Sequence, residues 1–450
     1  MDNKFIKLAD LPPDPMDEKA LRYYKDLGFS ICLLTEDDVK LVDGGTISAD
    51  YKQAIQNISD CGMQVWIRNM FNDPDYFDSE GVTEGSNYGS PYEMEPRHIT
   101  DEFSEFPAVT GFYMADEAYM YRLPERVNID WMRSDSYKFA SFDQLCKLVD
   151  WKNKYYPDAF FHMNHVPNQS WDHYLPRDGK IYNYEDFLTE YAHTILKRLK
   201  GCGRSLCLDN YPFIGENYME KDYLFDLMTA AKVTKAYNAE AAPEDHATFG
   251  ICLQTFNAKG MFDDRHRDIT MPEEVTLQMY VGMALGARLF EYFAYRSYRQ
   301  EFLGIIAPNG SDRIYDVVKT ANDRAAFLEP ILSQYESFGA YMVPGSLYSH
   351  NTAAMVMARD LFCKPYEISV QGEYDTLVGC FTHGEEKAYM LVNYTDPIRN
   401  CNNEVTLKGI KTELKLYKDG KESILKANDG CVTITIEPGN CAFVTWQGEK

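Results

Sequence analysis

At 450 residues the chain is longer than a typical single domain and long enough for two. Hydrophobic residues make up 45% and charged residues 25% of the sequence, which is typical of a soluble globular protein. The formal net charge of -24 disfavours nucleic acid and anionic membranes as partners and favours neutral or cationic ligands.

Short apolar segments rich in β-forming residues alternate with helical patterns as far as residue 293. The predicted strands are residues 5–8, 29–34, 64–68, 109–115, 159–164, 205–209, 248–254 and 287–293. The predicted helices are residues 14–27, 50–61, 142–156, 184–200, 222–237 and 272–286. This count predicts an α/β protein with a (β/α)8 TIM barrel. An open doubly wound sheet has the same alternation, but no Gly-rich phosphate loop follows any strand.

The pattern of alternating strands and helices stops after a last helix, predicted at 314–332, and the dipeptide Pro344-Gly345. Short alternating strands separated by turns are predicted at 353–358, 377–382, 387–393, 404–407, 413–417, 431–436 and 442–446. This pattern predicts a small antiparallel β-sandwich. We therefore expect a catalytic barrel domain at 1–340 and a structural sandwich domain at 341–450.

The cysteines and the first residues of the chain indicate the cellular compartment in which the protein functions. None of the 11 cysteines forms a CxxC pair, and Cys32, Cys207, Cys252 and Cys380 lie in apolar runs, so we expect buried free thiols in a reducing compartment. The first residues contain no apolar core of a signal peptide, and no run is long enough for a membrane helix. The sequence thus predicts a cytoplasmic protein with no membrane partner, unless a leader segment has been removed.

Two adjacent carboxylates follow the fourth predicted strand. The strand 109–115 is apolar and leads directly into Asp116 and Glu117. Catalytic groups of a β/α barrel lie at the carboxyl ends of its strands. We therefore predict that Glu117 is a general acid/base and that Asp116 is its neighbour in the site. The alternative is a solvated strand-to-loop turn, in which Asp is common.

Groups able to bind sugar hydroxyls follow most of the other strands, and aromatic side chains accompany them. Carboxylates, amides and aromatic faces together indicate a carbohydrate-binding cleft. We assign Asp209 and Glu291 as further candidate catalytic carboxylates. The candidate substrate-binding residues are Arg68, Asn69, Tyr113, Tyr119, His162, Asn164, His165, Trp171, Tyr211, Gln254 and Tyr292.

Structural roles compete with several of these assignments. Glu291 could form a salt bridge with Arg288 or Arg296. Asp209 could anchor a turn before Asn210. His162 and His165 would need a third ligand to bind zinc, and no spacing indicates one, so we expect no metal site and no cofactor.

The chain resembles a glycoside hydrolase of the (β/α)8-barrel superfamily, of the clan A type, with a barrel followed by a small β-sandwich. Residues 279–295 are similar to the helix and eighth strand of bacterial β-galactosidase-like barrels. The end of the fourth strand also matches, because clan A enzymes place the acid/base Glu there. The resemblance implies that Glu117 is this acid/base; the exact family is not assigned.

The chain departs from the clan A pattern at two positions. Asp116 stands where clan A has an Asn, and Gln254 stands near the position of the nucleophilic Glu. An amide cannot attack an anomeric carbon. Three hypotheses stay open: a glycoside hydrolase with another second carboxylate, a substrate-assisted enzyme similar to hexosaminidases that uses Asp116 and Glu117, and a non-catalytic carbohydrate-binding pseudoenzyme. The sugar, the linkage, exo or endo action and the oligomeric state are not determined by the sequence.

Overall fold

The structure is a computed structural model that describes residues 4–35, 42–43, 46–68, 102–115, 142–165, 167, 184–201, 203–215, 218–219, 222–257, 266–297, 303–349 and 366–447. Its strands up to residue 293 are β1 (Ile6–Ala9), β2 (Ile31–Leu34), β3 (Val42–Asp43), β4 (Thr46–Ile47), β5 (Gln64–Arg68), β6 (Val109–Ala115), β7 (Phe160–His165), β8 (Ser205–Asp209), β9 (Phe213–Ile214), β10 (Tyr218–Met219), β11 (Thr248–Gln254) and β12 (Leu289–Phe293). The helices are α1 (Glu18–Asp26), α2 (Ala49–Asp60), α3 (Phe142–Tyr155), α4 (Tyr184–Thr194), α5 (Tyr223–Glu240), α6 (Pro272–Ala284), α7 (Tyr315–Ala326) and α8 (Glu329–Leu332).

Eight strands form the barrel sheet, in the order β1-β12-β11-β8-β7-β6-β5-β2. Adjacent strands run parallel wherever their register is defined, as between β5 and β6 or β11 and β12. The two ends of this order also meet, because the Ser30 N–H donates to the Lys7 carbonyl at 2.9 Å. The predicted (β/α)8 barrel is therefore confirmed, and all eight predicted barrel strands are present. The two-stranded ribbons β3–β4 and β9–β10 were not predicted.

The chain divides into two compact units: Lys7–Asp209 with Val233–Phe249, and Asp2–Ile6 with Asn210–Lys232 and Gly250–Lys450. In the first unit, local sequence signals define the early helices. The Asp17 carboxylate accepts from the Ala20 N–H at 3.1 Å and begins α1, and Gly28, with φ +92°, follows its end. The Ser48 hydroxyl caps α2 by accepting from the Tyr51 N–H at 3.0 Å. Helix α2 packs against β2 and β5, and α1 packs against α2.

Helix α6 in the second unit is buried on every side. Its residues from Glu274 to Ala284 are all buried, so no solvent-facing stripe exists. It packs against α7 and against two strands of the C-terminal sandwich, β15 (Thr376–His383) and β16 (Glu386–Asn393). A helix that is apolar on all sides is typical of a core position. The sandwich thus packs on a barrel helix, as expected for a structural domain.

The C-terminal strands are β13 (Glu336–Val343), β14 (Ser369–Gly372), β15, β16, β17 (Asn403–Lys408), β18 (Leu414–Lys418), β19 (Lys421–Leu425), β20 (Cys431–Ile436) and β21 (Cys441–Gln447). They form a six-stranded antiparallel sheet, β13-β15-β16-β21-β18-β19, and a three-stranded sheet, β14-β17-β20. Side chains of both sheets share one core, with Val378, Leu391, Leu407 and Trp446 among its members. The predicted sandwich is confirmed.

Some details of the C-terminal prediction differ from the structure. Strands β13, β14 and β19 were not predicted, and the predicted helix 314–332 divides into α7 and α8 ahead of Pro330. The predicted strand at 353–358 lies outside the described residues. Strand β13 spans residue 340, and the domain boundary near that residue stays a prediction.

The contact between α6 and the sandwich leaves no room for a side chain at Gly379. A Cβ there would lie 2.4 Å from the Ala284 carbonyl oxygen and 2.8 Å from its Cα. Both are backbone atoms, so we expect Gly379→Ala to lower the free energy of unfolding by about 3 kcal/mol, measured by urea denaturation. The control is Gly384→Ala, where a Cβ meets no atom but φ is +59°, with an expected loss of about 1 kcal/mol. Equal losses in the two variants would contradict a tight contact at Gly379.

Candidate active site

Four candidate residues lie side by side across three neighbouring strands of the first unit. The β5–β6 register pairs Arg68 with Tyr113, and the β6–β7 register pairs Tyr113 with His162. Asn164 follows two residues after His162, so it faces the same side of the sheet. The structure therefore brings Arg68, Tyr113, His162 and Asn164 together near the carboxyl ends of β5, β6 and β7.

Direct contacts hold these four side chains in place. The Asn164 Nδ2 donates to the Tyr113 hydroxyl at 2.8 Å. The Tyr113 ring meets the His162 ring edge-on, with centroids 4.7 Å apart, and the Arg68 guanidinium lies 4.5 Å from the Tyr113 ring centre. The His162 Nδ1 shares a hydrogen bond of 2.8 Å with the Ser205 hydroxyl. The four side chains therefore form one cluster in which each contacts at least one of the others.

Arg68 also forms a buried ion pair with Asp10, a residue the sequence analysis overlooked. The two side chains are 10% and 5% exposed. Asp10 directly follows β1, so the signal that identified the other candidates, a polar residue at a strand end, was present there too. The pair neutralises the guanidinium charge, so Arg68 is oriented by Asp10 on one side and by the Tyr113 ring on the other.

The side-chain oxygen of Asn164 is a buried acceptor. Its residue is 1% exposed, and among the described residues no group donates to its Oδ1. A buried amide oxygen without a donor costs free energy, which a ligand hydroxyl would recover. The side-chain amide is thus held at Nδ2 by Tyr113 and open at Oδ1.

His165 faces the opposite side of β7 from His162 and Asn164. Its ring packs edge-on against Tyr191 of α4, with centroids 4.2 Å apart, and it is 2% exposed. Burial, reinforced by the nearby His162, lowers the pKa of His165 to about 3. The structure therefore places a neutral imidazole between the sheet and a helix. A role of His165 in substrate binding stays a prediction.

The depressed pKa of His165 predicts acid sensitivity. The unfolded chain binds a proton at this residue below about pH 6.5 and the folded chain only near pH 3, so stability falls as the pH falls through that range. Between pH 7.5 and 5 this residue should cost about 2 kcal/mol of unfolding free energy. His165→Phe should remove that part of the loss, while the exposed control His193→Phe should not. Parallel stability curves for wild type and His165→Phe would contradict the prediction.

Gln254 and Tyr211 belong to the second unit. Gln254 is fully buried; its Oε1 accepts from the Phe213 N–H at 3.0 Å, and its Nε2 donates to the Arg267 carbonyl at 3.0 Å and to the Phe213 carbonyl at 3.4 Å. The Tyr211 ring stands edge-on to Phe256, with centroids 4.7 Å apart. The Gln254 amide thus joins β11 to two backbone segments. Its assignment to substrate binding stays a prediction.

Gln254→Glu should destabilise the protein. A carboxylate at this place would face two carbonyl oxygens, those of Phe213 and Arg267, with no proton to donate. We expect a loss of about 3 kcal/mol in the free energy of unfolding at pH 7, and a smaller loss at acidic pH where the carboxyl is protonated. The control is Gln53→Glu, at an exposed position of α2, where we expect the free energy of unfolding to change by less than about 0.5 kcal/mol. Full stability of Gln254→Glu at pH 7 would contradict this account.

The remaining described candidates lie at other strand ends. Glu291 is 1% exposed on β12, and Asp209 is the last residue of β8. The Arg288 guanidinium donates to the carbonyls of Ala287, Leu332 and Tyr335, and burial lowers its pKa to about 10. The Tyr292 hydroxyl donates to Asn322 of α7, and alternation along β12 directs Glu291 to the opposite side. The catalytic and binding roles of these residues stay predictions.

The predicted acid/base lies outside the described residues. The same holds for four other candidates. These positions are Asn69, Asp116, Glu117, Tyr119 and Trp171. Asp116 and Glu117 directly follow Ala115, the last residue of β6, and Asn69 directly follows Arg68, the last residue of β5.

Among the described helices none combines the length and apolar character needed to cross a membrane.

Several solved glycoside hydrolases share the fold of this chain. Gan42B, a GH42 β-galactosidase from G. stearothermophilus, matches 99% of this chain over 98% of its own length with a TM-score of 0.54 and 10% identity. Its catalytic mutant has a TM-score of 0.56. A family 39 glycoside hydrolase from Bacteroides cellulosilyticus matches 99% of this chain over 81% of its own length, with a TM-score of 0.52 and 12% identity.

These similarities establish the fold. The chain shares the overall fold of these glycoside hydrolases, and no exact family is assigned. No model of a protein family matches the sequence, and no curated protein does. At such low identity a shared fold does not transfer an activity, so function must be argued from the site.

Proposed function

We propose that this protein is a glycoside hydrolase that cleaves glycosidic bonds of an oligo- or polysaccharide. The observation that carries the proposal is the row Arg68, Tyr113, His162 and Asn164 near the carboxyl ends of three barrel strands, with an open acceptor at Asn164 Oδ1. In β/α barrels this end of the sheet carries the active site. The shared fold of the solved glycoside hydrolases supports the same reaction class.

In this proposal Glu117 acts as the general acid/base. It follows the last residue of β6 by two positions in the sequence, and Tyr113 of the row belongs to β6. A protonated carboxyl there would donate its proton to the leaving-group oxygen. The second carboxylate is Asp209, Glu291 or Asp116. A separation of about 5 Å between the two carboxyl groups implies retention of the anomeric configuration, and about 6.5–9.5 Å implies inversion.

The contacts of Gln254 favour two alternatives to double displacement at this position. Its amide is bonded to backbone groups on both sides and is chemically unable to act as a nucleophile. A substrate-assisted reaction would need no protein nucleophile and would use the pair Asp116 and Glu117. A carbohydrate-binding pseudoenzyme would retain the polar cleft without turnover.

One experiment distinguishes these proposals. The protein is assayed against aryl glycosides with and without N-acetyl groups, and the anomer of the first product is determined by NMR. Turnover restricted to N-acetyl substrates with retention supports the substrate-assisted route, and turnover of simple glycosides supports another second carboxylate. Saccharide binding by calorimetry without turnover of any substrate supports the pseudoenzyme and overturns the hydrolase proposal.

A further inference from the structure

A cleft of about 930 Å³ lies within the second unit, between helices and sandwich turns. One wall consists of residues of α6 and α7 and the segment after α7. The other wall consists of three turns of the sandwich, around residues 397–402, 418–420 and 437–441. All of its lining residues are described, and none is among the candidate residues of the barrel. The volume is within the usual range for small-molecule sites.

Tyr280 of α6 points to a ligand in this cleft. It lines the cleft and is 3% exposed. Among the described residues none shares a hydrogen bond with its hydroxyl, so this group is open to the cleft. Burial raises the pKa of Tyr280, and the charges that act on it include those of Cys441, Arg324 and Asp419, which line the same cleft. A neutral hydroxyl is thus available as both donor and acceptor.

The charged groups of the cleft are already paired with one another. The Arg324 guanidinium bonds Glu273 at 2.7 Å, and the Lys418 ammonium lies 2.6 Å from Glu437. Asp419 accepts from Asn440 Nδ2 at 2.7 Å. Carboxylates outnumber cations along the lining, and both cations are neutralised, so the cleft disfavours anions. The paired groups still offer lone pairs and N–H groups to a neutral hydroxylated molecule.

Apolar surfaces complete the lining. Ile398 is 41% exposed, and Phe327, Pro397 and Pro438 line the cleft beside it. Apolar side chains in the same lining as amide and carboxylate groups suit the two kinds of surface that a sugar ring presents, its C–H face and its hydroxyl edge. Asn400 and Asn402 add further amides on the sandwich side.

We propose that this cleft is a second saccharide-binding site, which takes a neutral mono- or disaccharide through the Tyr280 hydroxyl and the paired polar groups of α7 and the sandwich turns. The site is separate in its residues from the barrel candidates and does not require the barrel to be an active glycosidase. It would hold a carbohydrate chain on the protein without cleaving it.

The test uses the full-length protein and isothermal titration calorimetry. The probes are maltose, cellobiose, lactose and diacetylchitobiose, with spermidine and inorganic phosphate as charged comparisons. Two variants address the cleft: Tyr280→Phe removes only the hydroxyl, and Thr320→Trp fills the cleft from α7. The first control is Tyr155→Phe, at an exposed position of α3, and the second is Asp316→Trp, at an exposed position of α7. Neither residue lines the cleft.

We expect at least one neutral saccharide to bind wild type, about fivefold to tenfold more weakly to Tyr280→Phe, and not measurably to the cleft of Thr320→Trp, with both controls unchanged. Circular dichroism and melting temperature verify that each variant is folded. Binding of none of the saccharides, saccharide binding equal in all variants, or cleft-dependent binding of spermidine alone would each overturn the proposal. Turnover of aryl glycosides is measured separately, so failure of the hydrolase proposal would not be confused with failure of this one.

Discussion

Glu117→Gln should lower kcat for aryl glycosides with poor leaving groups by about 10²–10⁴-fold, with little change in KM. The amide has nearly the shape of the carboxyl group but no proton to donate to the leaving oxygen. Aryl groups that leave as stable anions need less protonation, so the loss should shrink for dinitrophenyl glycosides. Steady-state kinetics on a series of leaving groups measures this dependence.

The control for this prediction is Glu105→Gln, at an exposed position of the 3₁₀ helix Glu102–Glu105, which precedes β6. It should leave kcat and KM unchanged and so exclude a general effect of removing one charge. An equal loss in Glu117→Gln for all leaving groups would identify a residue that acts on substrate binding or on folding. The acid/base role would then pass to another carboxylate.

Arg267→Met should give the largest loss of stability of any single substitution discussed, about 3–5 kcal/mol in the free energy of unfolding. The Arg267 guanidinium donates to both carboxylate oxygens of Asp396, at 2.7 and 2.5 Å, and to Glu274 at 3.0 Å. Asp396 and Glu274 are 3% and 1% exposed. Without the cation, two buried carboxylates would remain unpaired.

This cluster joins the start of α6 to the sandwich. Glu274 also accepts from the backbone N–H groups of Thr270 and Met271, at 2.8 and 3.2 Å, and so caps α6. Burial lowers the pKa of Arg267, but hydrogen bonds and the charges of Asp396 and Glu274 outweigh it and raise the pKa overall. The guanidinium therefore stays charged over the whole practical pH range.

The control is Arg22→Met, which removes an exposed ion pair with Glu18 on α1. Those side chains are 66% and 67% exposed, so we expect no measurable change in the free energy of unfolding. The triple variant Arg267→Met, Glu274→Gln, Asp396→Asn should recover part of the loss, because it removes the unpaired charges. Chemical denaturation measures all three proteins. A loss in Arg267→Met no larger than in Arg22→Met would contradict a buried ionic cluster.

Much of the fold could be predicted from the sequence, because the hydrophobic period of each strand and helix and the residues that end it are local properties of the sequence. All eight barrel strands were predicted, since each is a short apolar run bounded by breakers such as Gly28 or Gly62. The alternating strands of the sandwich were predicted for the same reason. Strand β19 was missed because its residues, such as Glu422 and Ser423, are exposed and polar, so a two-residue hydrophobic period is absent.

The candidate site was predictable only as a set of strand ends. Arg68, Tyr113, His162 and Asn164 could be named because they are polar residues at or near the ends of apolar strands. Which strands are neighbours, and therefore which of these side chains touch, depends on sheet order, a long-range property. Asp10 shows this, because its partner Arg68 is 58 residues away in the chain and two barrel strands later.

The sequence by itself determined the order of strands and helices, the change to a sandwich, and the residue types available for chemistry. Only the tertiary structure decided which of those residues are already engaged. Gln254 is fixed to the backbone of Phe213 and Arg267, His165 faces α4, and Arg267 links α6 to Asp396. Each of these residues is separated from its partner by more than one helical turn in the sequence, and none of the contacts is a pairing between adjacent strands. Local periodicity records which face a side chain takes, whereas its partner is set by packing between distant segments.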